Sequence, residues 1–151
     1  MKTTKTTEID APISIVFQTL MDVDLATKWV PTLISYDVIS ETSDVVGSIY
    51  RSQLKYNDLV YEQISEVKDF IENQYIRWSA SSPFCESNVE YFLSPISSVR
   101  TEFKSVSECN YKGLARIWVW IAKSKLKKQN DEMLTEAYAN FKSLVEAKYQ
   151  S

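Results

Sequence analysis

The chain has 151 residues, 44% of them hydrophobic and 25% charged, the proportions of a folded domain rather than a disordered tract. Its formal net charge of −3 and pI of about 5.1 argue against nucleic acid as a partner, since that binding rests on Lys and Arg neutralising phosphates. Histidine is absent, which excludes His-ligated metals, Ser–His or Cys–His nucleophile pairs and a His general base.

A chain of this length buries roughly two thirds of its surface on folding, so it needs no disulfide or metal. No internal repeat, low-complexity tract or Pro/Gly-rich linker interrupts it, and one domain over residues 1–151 is expected. No apolar run approaches the ~20 residues that cross a bilayer. The opening MKTTKTTEID lacks the apolar stretch of a secretion signal. A cytoplasmic protein with no integral membrane association is the resulting expectation. Glycine is scarce, with 2 in the chain, and Tyr is abundant, with 9. Tyr suits surfaces that are part dry and part wet.

Residues 3–9 are β-rich and polar, as in an edge strand. Asp10 is a good N-cap, and Pro12 tolerates a first helical turn. Ile13, Val16, Phe17 and Leu20 then fall on one helical face. Asp24 can cap a second short helix that buries Leu25 and Trp29, and Pro31 stops it. A strand follows over residues 33–40.

From there the chain reads as a meander. Asn57-Asp58 is a plausible two-residue hairpin loop. That register sets Tyr56 against Leu59, Leu54 against Tyr61, Ser52 against Gln63 and Tyr50 against Ser65. Side chains alternate, so these residues share one uncharged face. Arg51, Lys55, Glu62 and Glu66 share the other and should meet water. In residues 75–80, Ile76 and Trp78 are placed inward and Tyr75 and Arg77 outward. A last hairpin turns around residues 94–98. Its expected register sets Val89 against Ser105, Tyr91 against Phe103, Leu93 against Thr101, and Glu90 against Lys104 as an opposite-charge pair.

The end of the chain is helical. Met133, Ala137, Phe141, Leu144, Val145 and Lys148 keep a 3.6-residue period. With one apolar side, this helix needs a surface to lie on, and the uncharged face of the meander is the natural one.

This order of elements resembles the helix-grip fold of the START-related superfamily, also called SRPBCC or polyketide-cyclase/dehydrase-like, which includes the birch-pollen allergen. The opening IDAPISIVFQTLMDVDLATKWVP is similar to that of the family, through Ile9-x-Ala11-Pro12, Val16-Phe17, Leu20, Asp22 and Trp29-x-Pro31. Gly47 matches the Gly that begins the third strand, SVRTEF the Thr-rich last strand, and ANFKSLVEAKY the end of the long helix. The resemblance implies an α+β fold in which a curved antiparallel sheet of about six to seven strands grips a long C-terminal helix, with two short helices after the first strand. It also implies a cavity between sheet and helix for hydrophobic or aromatic ligands. It brings no fixed catalytic motif, so no catalytic residue is carried over.

The cavity lining would include Tyr36, Tyr50, Ser52, Leu54, Tyr61, Gln63, Trp78, Tyr91 and Phe103, with Ser105 beside them. An apolar surface with a few hydroxyls is what a small-molecule site needs. The competing reading is a plain core with Tyr hydroxyls reaching its rim. The expected partner is a small hydrophobic or aromatic molecule, lipids included, with no cofactor and no metal. A cyclase or dehydratase that positions a polyketide-like substrate with Tyr hydroxyls is the enzyme alternative. Against it, the expected registers put no Asp, Glu, His or Lys on the inward face. A chaperone-regulator-like protein-binding module is the third reading, and it would need a large exposed apolar patch.

Two features stand apart. The last hairpin could set Cys85 and Cys109 opposite each other, and two reduced, buried thiols are the expectation for a cytosolic protein. In RIWVWIAKSKLKK, aromatic residues next to lysines have the composition of a membrane-surface or nucleic-acid patch. Here Ile117, Trp118 and Ile121 are expected to pack inward, while Lys123, Lys125, Lys127 and Lys128 stay solvated. Trp120 is left over, free to cover the cavity mouth or to meet a second subunit in a homodimer.

Overall fold

The computed structural model describes residues 1–151. The elements run β1 (Lys2–Ile9), α1 (Ile13–Met21), a 3-10 turn (Val23–Leu25), α2 (Ala26–Trp29), β2 (Leu33–Ser40), β3 (Ile49–Tyr56), β4 (Leu59–Ile71), β5 (Tyr75–Ser81), β6 (Cys85–Ser97), β7 (Arg100–Tyr111), α3 (Leu114–Ile121) and α4 (Lys123–Gln150). The seven strands form one sheet in the order β1-β7-β6-β5-β4-β3-β2, every pair antiparallel. This is the expected α+β helix-grip architecture.

α1 buries Val16, Phe17 and Leu20 as its spacing predicts. Its start differs from expectation. Pro12, not Asp10, holds the N-cap position, and no side chain caps the helix. Asp10 is drawn away, because its N–H donates to Glu146 Oε1 at 2.9 Å and its carboxylate lies 3.4 Å from Arg100 Nε. The next turn is capped by Asp22, whose Oδ1 accepts from the Asp24 N–H at 3.0 Å, rather than by Asp24. Trp29 is buried and packs against Phe141 of α4, with centroids 4.8 Å apart and the rings tilted at 50°.

The β3–β4 hairpin has the register read from its turn, from Tyr56–Leu59 to Ile49–Glu66. Asn57 takes φ 53 at that turn, a left-handed conformation that Asn tolerates. Gly47, before β3, sits at φ 90, where a Cβ would be strained.

The β6–β7 register is a correction. Val89 faces Ser107, Tyr91 faces Ser105, Leu93 faces Phe103, and Glu90 faces Val106 rather than Lys104. A bulge between Pro95 and Ser97 absorbs one residue, so the strands continue past the expected loop and turn at Ser98-Val99. Lys104 faces Phe92 instead, its ammonium 5.9 Å from the ring centroid. The displacement is an even number of residues, so every side chain keeps its expected face. Further bulges bend the sheet in β2 and in β4. The β4 bulge, at Lys68, moves the inward face from Val67 to Phe70, which packs on Phe17 at 5.5 Å.

α4 lies across the concave face, with Ala137, Tyr138, Phe141 and Val145 buried. Met133 and Leu144 are partly buried against the same core, whereas Lys148 is exposed and leaves the stripe. The clearest departure is α3. Ile117, Trp118 and Ile121 do not pack inward; they are 55%, 69% and 65% exposed. α4 lies across the concave face, and α3, tethered at Lys112, turns its part-buried Ala115 and Val119 toward the body instead. Lys123, Lys125, Lys127 and Lys128 are solvated as expected.

Candidate functional site

The concave face gathers the predicted lining residues. Tyr36 stacks on Tyr50, with centroids 5.3 Å apart and planes at 5°. Ser52 is buried and donates its hydroxyl to Gln63 O at 3.3 Å. Leu54 stands opposite Tyr61, and Tyr61 meets Phe84 edge-on at 5.4 Å. Trp78 meets Tyr91 edge-on at 5.6 Å, and Tyr91 stacks on Phe103 at 5.3 Å.

Burial divides this set. Phe103 has 0% exposure and is packed between Tyr91, Tyr138 and Phe141, so it supports the face from behind. Tyr50 and Ser52 are nearly as buried. Tyr36, Leu54, Tyr61, Gln63, Trp78 and Tyr91 keep accessible surface. For Tyr91 this matters, because burial pushes its phenol far above the ordinary range, with Tyr138 and Tyr36 adding to the rise. Tyr91 stands edge-on to Trp78 and stacked on Phe103 in the middle of this face. Burial, with neighbouring Tyr50, raises Tyr36 in the same way. These phenols are therefore neutral donors near neutral pH.

Polar satisfaction marks one point on this face and one at its closed end. Two buried side-chain atoms have no hydrogen-bond partner, the indole nitrogens of Trp29 and Trp78. A buried donor left unpaired costs about 1–3 kcal/mol. Trp29 sits at the end closed by α1 and α2. Trp78 stands mid-sheet, opposite Val67 and Val89.

The charged strand residues largely face outward, as expected. Arg51 pairs with Glu62 at 3.6 Å, Arg77 with Asp69 at 2.5 Å, and Arg100 with Glu8. Glu90 accepts from the Tyr75 hydroxyl at 2.5 Å. One residue corrects the expectation of an inward face without lysine. Lys5 of β1 shares the concave register through its partner Ser105, and its ammonium donates to Thr135 Oγ1 on α4 at 3.0 Å. The alternation of Lys5 with Ile9 along β1 could have shown this. Sequence reasoning also missed Tyr138, which is buried and donates its hydroxyl to Ser105 Oγ. Its spacing from Phe141 and Val145 was the available signal.

At the far end of the grip, Tyr56 of the β3–β4 hairpin donates to Gln129 Oε1 of α4, so the hairpin tip clasps the start of the helix. Cys85 and Cys109 lie nearby. They are diagonal neighbours, not opposite, since Cys85 faces Tyr111 and Cys109 faces Ser87. Both are free thiols, half-buried rather than buried as expected, because they lie near the open end of the sheet. The neighbouring Cys109 thiol holds the Cys85 thiol down to about 6, helped by Ser82 and the Lys112 ammonium against the opposing effect of burial. Cys109 is pushed up by its Cys85 neighbour and by burial. Two surface depressions lie away from the predicted residues. One, of about 680 Å³, follows the solvent side of α4 at Lys127, Asp131 and Thr135. The other, of about 270 Å³, opens at Ile64, Ser79 and Glu86.

No protein-family model matches the chain, and no curated protein matches it in sequence. Solved structures do match. The ZhuI aromatase/cyclase from Streptomyces sp. R1128 superposes with a TM-score of 0.81 at 13% identity, over 97% of this chain and 93% of that one. A START superfamily protein from Mycobacterium smegmatis gives a TM-score of 0.74 at 16% identity, over 99% and 97% of the two chains. The protein TTHA0849 from Thermus thermophilus gives 0.83 at 12% identity, over 98% and 99%. At these identities the likeness is one of fold, and the chain has the helix-grip fold shared by START-related, polyketide-cyclase-like proteins.

Proposed function

We propose that this protein binds a small hydrophobic or aromatic molecule between the concave sheet and α4, held by Trp78, Tyr91, Tyr36, Leu54, Tyr61 and Gln63. The observation that carries this reading is the Trp78 indole N–H, which is buried without a partner and stands edge-on to Tyr91 among the concave-face aromatic residues. A ligand with one acceptor atom would satisfy that donor and lay its apolar surface on the surrounding rings. Burial of that surface contributes about 25 cal/mol per Å². The Tyr hydroxyls and Gln63 would orient its remaining polar atoms. Tyr50, Ser52 and Phe103 shape the floor.

Binding without turnover fits the concave face better than catalysis, because no carboxylate or imidazole stands on its strands to move a proton. The test is native mass spectrometry of the freshly purified protein, followed by melting curves with the extracted molecule. A co-purified apolar molecule that raises Tm saturably supports the reading. A protein free of ligand, whose Tm is unmoved by a panel of aromatic and acyl compounds, overturns it. Turnover of a polyketide-like substrate, lost in Tyr61→Phe or Tyr91→Phe without loss of fold, would replace it with the cyclase reading.

A further inference from the structure

We propose that α3 and the start of α4 form a docking surface for an anionic lipid bilayer. In α3, Leu114, Ile117, Trp118 and Ile121 fall at i, i+3, i+4 and i+7, so they form one stripe. That stripe normally faces a core. Here it faces water, with Leu114 76%, Trp118 69% and adjacent Trp120 80% exposed. The part-buried residues of α3 are the smaller Ala115 and Val119, which turn the opposite side toward the body. The helix is thus mounted with its larger apolar side outward.

Charge selects the occupant. Between Lys112 and Lys128 there are six bases and no Asp or Glu, in a chain of net charge −3. Lys112 is engaged by Glu86. Arg116, Lys123, Lys125, Lys127 and Lys128 are exposed, and none of them enters an ion pair. Exposed Trp and aliphatic side chains flanked by unpaired Lys and Arg suit the boundary between acyl chains and anionic headgroups. A soluble apolar partner would account for the stripe but not for the five free cations beside it.

The position of α3 adds to this. Lys112 anchors its start to the β5–β6 loop, through its N–H to Phe84 O at 2.8 Å and its ammonium to Ser82 O at 3.0 Å. The hairpin tip clasped to Gln129 carries exposed Leu59 and Val60 on the next strand. The docking surface therefore borders the end of the grip opposite Trp29, where an apolar molecule could pass between bilayer and protein. The docking itself does not depend on a ligand being bound.

The experiment is co-sedimentation of the full chain with vesicles of phosphatidylcholine alone or of phosphatidylcholine with phosphatidylglycerol. Binding to the anionic vesicles only, weakening as salt is raised, is expected. The double variants Trp118→Ser/Ile121→Ser and Lys125→Glu/Lys127→Glu should each lower the bound fraction at least tenfold, with wild-type circular dichroism and Tm. Iodide quenching of tryptophan emission in the wild type reads the same contact with no substitution, and anionic vesicles should reduce it. Failure to bind anionic vesicles overturns the proposal. So does a dimer in light scattering that Trp118→Ser/Ile121→Ser abolishes, which would assign the stripe to a second copy. A soluble protein partner that competes off the vesicles through the same stripe would overturn it in favour of a protein-binding surface.

Discussion

The indole of Trp78 meets the ring of Tyr91 edge-on, 5.6 Å between centroids with planes at 83°, and the indole N–H has no hydrogen-bond partner. Trp78→Phe keeps an aromatic ring and removes the donor. A hydrogen bond of this kind contributes about 1 kcal/mol, which is roughly fivefold in Kd. The variant should therefore weaken 2-naphthol, which carries an acceptor oxygen, about fivefold more than it weakens naphthalene. Competition calorimetry on both probes checks this, and an equal loss for both would mean that the N–H is not used.

Phe103 and Tyr138 hold the floor of the same site. Phe103 has no exposure and touches three other rings, so Phe103→Ala should cost about 3–5 kcal/mol of stability. Tyr138→Phe leaves the ring and removes the hydroxyl that reaches buried Ser105. It should cost about 1–3 kcal/mol, the range for an orphaned buried partner. Urea unfolding of both variants gives the two values, and the ranking should not invert.

Cys85 should be the reactive thiol. The thiolate is the nucleophile, and the neighbouring Cys109 thiol holds Cys85 down to about 6. Alkylation of Cys85 by iodoacetamide should rise as pH passes about 6 and level off above it. Cys109 should stay unmodified, because its pKa is pushed up. Cys109→Ala removes that thiol and should move the Cys85 profile up toward ~8.5. Peptide mass spectrometry across pH reads both sites, and an unchanged profile in the variant would discount the pair.

Tyr36, Tyr91 and Tyr138 are all raised, chiefly by burial, Tyr138 to about 12. For each, the folded state favours the neutral phenol and the unfolded chain ionises first, near ~10. Stability should be independent of these groups below about pH 10 and should fall as pH rises above it. Denaturation midpoints between pH 8 and 12, read beside phenolate absorbance, test the sign. The phenolate signal of these residues should appear together with unfolding, not before it.

The local chemistry of the chain is enough to place most of the fold. Alternation in β3, β4 and β5, the Asn57-Asp58 turn and the period of α4 depend on neighbours in sequence. They predict which side chains share a face, and that parity is kept in β6 and β7 even where the register is displaced by the bulge beyond Pro95. The candidate lining was legible for the same reason, since a face is a property of odd and even positions.

Three results needed the assembled molecule. Phe103 became floor once α4 placed Phe141 and Tyr138 over the sheet, and the unpaired Trp78 N–H shows only in the folded packing. Lys5 reached the concave side because β1 pairs with β7 at an edge, a contact between opposite ends of the chain. The apolar stripe of α3 predicted burial, and by itself that sequence determines only an amphipathic helix. Its outward placement was decided by tertiary structure, because α4 lies across the concave face and α3 is held by the small faces of Ala115 and Val119. A helical pattern specifies which residues lie together on a face; what that face meets depends on which element occupies the core.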